Sequence, residues 1–318
     1  MMPKIDFTDL YSTEIQSEIN TLETARKKGA QQQVFGIVLL LASVLFGFFV
    51  FQLNTMLALS VGLILFVLSA RLLYKAAKVQ TLLLDFFKSR LIPKMIKRIH
   101  PDLRYEPSGK VSQSQFITSK IFQQSIDVFE GEDWVKGRID QTEIEFSELL
   151  VQYITRDSKG NETKNTAFKG IFFIADFHKE FKGETFVLKD HAQKLFGNMG
   201  TFFQRINGAR PELILMENPV FEKQFVVYGT DQIESRYIIT PSMMERMVDM
   251  NRQFKGIQFS FVNSKLYIAI PFRENLFEPK LFKSLENAEY IKSYFQILSS
   301  CIGIVDSLEL NERLWSKA

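Results

Sequence analysis

Residues 34–70 contain no Asp, Glu, Lys, Arg or His. Val34 to Phe51 is an 18-residue apolar run, and Met56 to Ala70 resumes it, continuing through Leu72, Leu73 and Tyr74 past Arg71. At 1.5 Å per helical residue, 18 residues make roughly 27 Å, about the thickness of a bilayer's hydrocarbon core. Gln52-Leu53-Asn54-Thr55 breaks the pattern over about the length of a tight helix–helix turn. The pattern predicts a transmembrane helical hairpin over residues 34–74. The alternative, two buried core helices of a soluble protein, is disfavoured because soluble helices of that length carry a charged face.

The hairpin is flanked by helical patterns. In residues 1–33, Ile15, Ile19 and Leu22 fall on one face, and Glu23 to Lys27 is an i, i+4 ion pair. This N-terminal segment either extends the first span or docks against the region after the second. Residues 75–100 form a basic juxtamembrane helix with apolar positions Leu82, Leu83, Phe86, Phe87 and Leu91, which Pro93 ends or kinks. Its apolar face, edged by cations, suits an anionic membrane surface.

From residue 101 the chain reads as a sheet-rich domain to residue 318, with a possible sub-boundary near 191–211. Trp134–Asp140 and Thr142–Thr155 read as strands. In the second, Ile144 and Phe146 occupy one phase and Leu149, Val151 and Tyr153 the other, which a bulge near Ser147–Glu148 would reconcile. Ala167–Phe177 is apolar in both phases, as in a central strand covered on both sides. Glu184–Leu188 is a short partner. Glu212–Glu217 and Phe221–Tyr228 are read as strands around Asn218-Pro219. Helices start at Asp231 and at Thr240-Pro241, and a hairpin spans Ile257–Val262 and Leu266–Phe272. A long helix from Ser284 to Leu310 carries two apolar stripes, for core packing or for an oligomer contact through Phe295 and Leu298. The predicted fold class is a membrane-anchored α+β protein: a transmembrane hairpin, then a sheet-rich cytoplasmic domain closed by a long C-terminal helix.

Charge sets the orientation. The chain carries +3 overall, but residues 71–98 hold eight cations (Arg71, Lys75, Lys78, Lys88, Arg90, Lys94, Lys97 and Arg98) against Asp85 alone. With Arg26, Lys27 and Lys28 before the first span and no charge in the turn, the positive-inside rule puts both termini in the cytoplasm of a bacterial inner membrane. Residues 99–318 are net −3, without the basic stripe that nucleic acid requires. One cysteine, Cys301, excludes an intramolecular disulfide.

Candidate chemistry is sparse. Asp176 and His178 alternate on one predicted strand and offer a carboxylate and an imidazole, the donors of a metal or hydrolytic site; Asp190 and His191 follow. Their bland reading is a polar strand end. Glu148, Glu222 and Asp231 are acids in apolar surroundings, suited either to acid–base work or to capping and edge positions. Gly197-Asn-Met-Gly200 resembles a backbone-clamping G-x-x-G but lacks basic residues. No phosphate loop, dinucleotide fingerprint, nucleophile elbow or zinc-protease motif is present, and no cofactor is implied. Met243, Met247, Met250 and Phe254 form one helix face, read as core or as an adaptable groove.

Several stretches carry a resemblance. Gly131-Glu-Asp-Trp-Val-Lys-Gly137, Phe146-Ser-Glu148, Phe168-Lys-Gly-Ile-Phe-Phe-Ile-Ala-Asp-Phe177, Phe221-Glu-Lys-Gln-Phe225, Asp231 and Tyr237-Ile-Ile-Thr-Pro241 resemble an uncharacterised bacterial membrane-protein family. It is family thirty-one thirty-seven of the domain-of-unknown-function series, and the resemblance runs from the hairpin to residue 272. It implies two N-terminal spans, a cytoplasmic α+β domain and a bacterial source, and no activity. Together these readings give a binding or scaffolding module held at the membrane, recognising a membrane-protein partner or a lipid headgroup. The alternative is a membrane-tethered hydrolase using Glu148, Asp176 and His178.

Overall fold

The computed structural model describes residues 7–51, 55–177, 181–189 and 211–310. They form two compact units. One joins the N-terminal helices to residues 277–297; the other holds the remainder of the chain from Ile99 onward.

In the first unit, α1 (Gln16–Phe51) follows a short helix, Phe7–Leu10, and a π-helical turn, Tyr11–Ile15. It pairs antiparallel with α2 (Thr55–Phe86), which passes through a second π turn, Phe87–Leu91, into α3 (Ile92–Ile99). Both helices are long and apolar enough to cross a membrane, and their apolar windows are only 11% buried, where core helices would be mostly buried. Small residues recur every seven positions along the seam. On α1 these are Gly29, Gly36 and Ser43 and on α2 Gly62, Ser69 and Ala76; Ser43 lies by Gly62 and Gly36 by Ser69. A Cβ on Gly36 would sit 2.8 Å from the Leu73 side chain, and the Ser69 hydroxyl donates to the Gly36 carbonyl at 2.7 Å. A seven-residue repeat of small side chains is the pattern of a close, left-handed helix pair. Gly36→Leu is therefore expected to cost about 1–3 kcal/mol by overpacking. The thermal midpoint of the detergent-solubilised protein should fall, and an unchanged midpoint would refute the close seam.

At the end of this unit away from the hairpin turn, the N-terminal segment both extends α1 and packs against the helix that follows α2. Ile15 and Ile19 are buried, while Arg98 pairs with Asp9 at 2.6 Å and Lys94 with Glu18 at 2.8 Å. Pro93 does not end the helix. The π turn before it takes up the lost N–H and the ring clash, and α3 continues to Ile99. Leu83, Phe87 and Leu91 are buried within the unit, with Phe87 edge-on to Tyr294. Of the predicted apolar face, Leu82 stays half exposed.

The second unit is one nine-stranded antiparallel sheet in the order β1-β2-β3-β4-β9-β8-β5-β7-β6. The strands are β1 (Arg104–Glu106), β2 (Val128–Ile139), β3 (Thr142–Arg156), β4 (Glu162–Asp176), β5 (Thr185–Lys189), β6 (Glu212–Ile214), β7 (Phe225–Gly229), β8 (Gln258–Val262) and β9 (Lys265–Pro271). One face packs Leu149, Phe172 and Tyr267 with Phe116 of helix α4 (Gln113–Thr118). The other carries Phe146, Phe173 and Ile268, also buried. Over that second face, Ser235 of helix α6 (Gln232–Ile238) bonds Thr185 at 2.8 Å and sits against Gly229. Gly170 has φ +149°, and a Cβ there would collide with the Ile270 carbonyl, so β4 and β9 approach this closely only at glycine.

β3 departs from its expected bulge. Its pairing with β4 is unbroken from Ile144 to Val151, so the apolar phase changes because both faces are buried there. The irregularity lies opposite, in β2, where Asp133 and Trp134 face Ser147 alone. Phe221 is not in a strand: Asn218 caps a helical turn, α5 (Pro219–Glu222), with proline at its first position. Asp231 and Thr240 cap α6 and α7 (Pro241–Gln253) as their sequences indicate. The methionine face of α7 is buried core.

Among the described residues the predicted Ser284–Leu310 helix is not continuous. Asn287 caps α8 (Ala288–Ile302), Gly303 interrupts, and α9 (Ile304–Ser307) ends in a Schellman motif with Glu309 at φ +53°. Glycine is the poorest helix former after proline, and residues 277–287 are non-helical, so the stripe is split into short pieces. Both apolar stripes are nevertheless largely buried, Phe295 and Leu298 included.

Candidate functional site

The β2 irregularity creates the most unusual chemistry among the described residues. The extra residue puts Asp133 at φ +60° with 1% exposure, its N–H donating to the Pro107 carbonyl at 2.9 Å. The turn brings the carboxylate oxygens of Glu132, Asp133 and Glu148 within 4.8 Å of one another. Tyr105, from β1, donates its hydroxyl to Asp133, and burial beside that carboxylate raises the phenol's pKa. Glu148 is buried and accepts the Leu276 N–H at 2.9 Å. Burial, reinforced by the charges of Asp133 and Glu132, pushes its pKa up to about 7, against the lowering effect of that hydrogen bond. Three carboxyls are thus crowded together, with the pKa of Glu148 raised. They are also hard oxygen donors, though Asp133 and Glu148 already accept hydrogen bonds from protein groups.

A second feature lies at the end of the sheet, on the α4 face. A groove of about 540 Å3 is lined by Arg104, Lys136, Arg138 and Lys265 and by Asp102, Glu143, Glu145 and Asp176, with Trp134 among them. Glu145 anchors one wall, accepting the Trp134 indole N–H at 3.0 Å and the Gln115 amide. Lys136 lies 3.6 Å over the Trp134 ring, and Arg138 pairs with Glu143 at 2.6 Å. Four cations balance four acids, so the groove offers both signs of charge to a polar ligand.

Glu148 and Asp176 do not converge. In the β3–β4 register Glu148 shares a face with Ile171 and Phe173, while Asp176 alternates to the other, lining the groove 3.9 Å from Lys265. His178, Asp190, His191 and the Gly197–Gly200 motif lie outside the described residues. Glu222 accepts the Met216 N–H at 2.7 Å, as an edge acid does. Cys301 is fully buried, and desolvation pushes its thiol up to about 12, so it is inert.

In the hairpin, Val34, Met56 and Ala70 are exposed, and Phe51 ends α1. The eight flanking cations divide into two groups. Lys88 is buried, Arg90 and Lys94 approach Glu18, and Arg98 meets Asp9. Arg71, Lys75 and Lys78 are exposed, with no carboxylate in ion-pair distance among the described residues; Lys97 is exposed as well. The sequence reading missed Tyr105, Glu132 and Asp133, although the Gly131-Glu-Asp-Trp stretch, with its acid pair inside a strand, marks the place.

The architecture is that of a two-helix membrane-anchor candidate joined to a large antiparallel sheet domain. Residues 166–310 match the family model DUF3137, a protein family of unknown function, the family that the sequence motifs resemble. No curated protein matches the chain. Among solved structures, the chain is similar to the crystal structure of the mycobacterial trehalose monomycolate transport factor A, TtfA. The identity is 10% and the TM-score 0.33, over 70% of this chain and 96% of that one. A likeness that slight carries neither fold detail nor function across.

Proposed function

We propose that this is a membrane-anchored binding or scaffolding module: the hairpin spans a bacterial inner membrane with both termini cytoplasmic, and the sheet unit presents a recognition surface to another membrane component. The observation that carries this reading is the lipid-ready exterior of the hairpin. Phe35, Leu41, Phe48, Leu63, Ile64 and Val67 are all more than half exposed, an apolar surface water would not tolerate. The charge-balanced groove supports recognition, and the separation of Glu148 from Asp176 weighs against hydrolysis.

Full-length protein is expected to stay in the membrane fraction through alkaline carbonate extraction, and deletion of residues 34–74 to release it. Cross-linking purification should then recover the same species from wild type and from a variant altered at exposed Lys283, but not from Arg104→Glu/Lys265→Glu. Membrane retention without residues 34–74 would overturn the anchor. Identical recovery from the groove variant would overturn the assignment of the groove.

A further inference from the structure

The cations bordering the apolar band are treated differently from those farther along the same helices. Farther along, the chain supplies counter-ions for most of them, Glu18 for Arg90 and Lys94 and Asp9 for Arg98, while Lys97 stays exposed. Nearer the band it supplies few. No Asp or Glu occurs in residues 24–33 or 71–84, which face each other across the helix pair where Gly29 meets Val79 and Gly36 meets Leu73. That layer contains Arg26, Lys27, Lys28, Arg71, Lys75 and Lys78. Arg26 is held by Glu23, and Lys27 approaches Glu286 at 3.2 Å. Lys28, Arg71, Lys75 and Lys78 remain, all exposed and without an ion-pair partner among the described residues.

Their placement fits a headgroup layer. Arg71, Lys75 and Lys78 follow an i, i+4, i+7 spacing, which puts them on one stripe about 10 Å long. Lys28 precedes Gly29, whose contact with Val79 in the antiparallel pair sets it near Gln80, two residues from Lys78. The polar zone of one leaflet is about 5–8 Å thick, and long basic side chains reach along their stems, so one such layer accommodates the stripe. Tyr74 lies within it, 63% exposed, with the Lys78 ammonium 5.4 Å from its ring centroid, as interfacial aromatics are found.

We propose that Lys28, Arg71, Lys75 and Lys78 bind the phosphate headgroups of anionic phospholipids in the leaflet at the water-side end of the hairpin. This rests on the anchor reading above and names the lipid class it contacts. The protein leaves these four cations unneutralised because the membrane supplies the counter-charge, each near-surface cation contributing about a fivefold preference.

The test uses full-length protein in nanodiscs of mixed phosphatidylglycerol and phosphatidylcholine, with retained lipids counted by native mass spectrometry. Wild type should retain phosphatidylglycerol over phosphatidylcholine by at least tenfold beyond the disc composition. Lys28→Gln/Arg71→Gln/Lys75→Gln/Lys78→Gln should lose that preference. These side chains are exposed and form no ion pair among the described residues, so the fold should survive; Lys75→Gln alone should show a partial loss. Arg90→Gln/Lys94→Gln, which alters cations already paired, should keep the wild-type ratio, and added inorganic phosphate should not displace the lipid. Equal ratios in wild type and the quadruple variant, or displacement by free phosphate, would overturn the proposal. Failure of the wild type to enter nanodiscs would instead overturn the anchor on which it rests.

Discussion

Replacing Glu23 with alanine is expected to destabilise the hairpin unit by about 3–5 kcal/mol, the cost of breaking a buried ion pair from one side. Glu23 is 1% exposed and Arg26 7%. The guanidinium meets the carboxylate through two bonds of 2.7 Å, and the same carboxylate accepts the Ser284 hydroxyl at 3.0 Å and the Leu285 N–H at 2.9 Å. Arg26 also donates to the Leu281 carbonyl at 2.5 Å. The pair therefore fastens the non-helical residues 281–285 to α1. Alanine would strand a buried guanidinium and an N–H together. Unfolding of the detergent-solubilised protein should report the loss, and limited proteolysis should open residues 277–287. Glu23→Ala/Arg26→Leu should recover much of the stability, since no unpaired charge remains. A single-variant loss below about 1 kcal/mol would mean that the clasp is not what holds this segment.

That clasp shows what sequence periodicity reaches and what it misses. The hairpin was legible because a long charge-free run has few other physical uses, and β4 because it is apolar in both phases. Caps at Asp231 and Thr240 were legible because capping is local chemistry. Glu23 was read with Lys27, its i+4 neighbour, which lies at 3.6 Å; the closer partner is Arg26, and the other contacts come from more than 250 residues away. No local rule gives such a pairing. The predicted C-terminal helix failed for a related reason: its apolar spacing runs straight through Gly303, and spacing alone does not register a break.

The chemistry was harder to see. Glu148 drew attention as an acid among apolar residues, and the structure does bury it, but its companions come from a neighbouring strand. Asp133 reaches it because a non-glycine residue adopts a left-handed conformation in mid-strand, which the composition of β2 does not announce. The groove is assembled from five strands with ordinary surface charges, each unremarkable in its own segment. Asp176 and Glu148 each lie at a notable place, and strand alternation, which the sequence does contain, puts them on opposite faces once the unbroken register of β3 is known.

Glu148→Gln should flatten the pH dependence of the sheet unit's stability between about pH 4.5 and 7. The Glu148 carboxyl is raised from the ordinary 4.5 to about 7 in the folded chain, first by burial and then by Asp133 and Glu132. A raised carboxyl pKa means that folding favours the protonated form. The contribution is complete below about pH 4.5, where both states hold the proton, and is lost as pH rises through 7 and the folded state must ionise. At about 1.4 kcal/mol per pKa unit, the full swing is about 3 kcal/mol. Glutamine cannot ionise yet keeps an oxygen to accept the Leu276 N–H, so the variant should match wild type at pH 4.5 and exceed it by up to about 3 kcal/mol at pH 8. Chemical unfolding of both proteins at the two pH values gives the comparison. Parallel profiles would show that the Glu148 carboxyl is not raised in the folded chain, and a variant less stable at both pH values would show that the charged form of Glu148 is the one the bulge is built around.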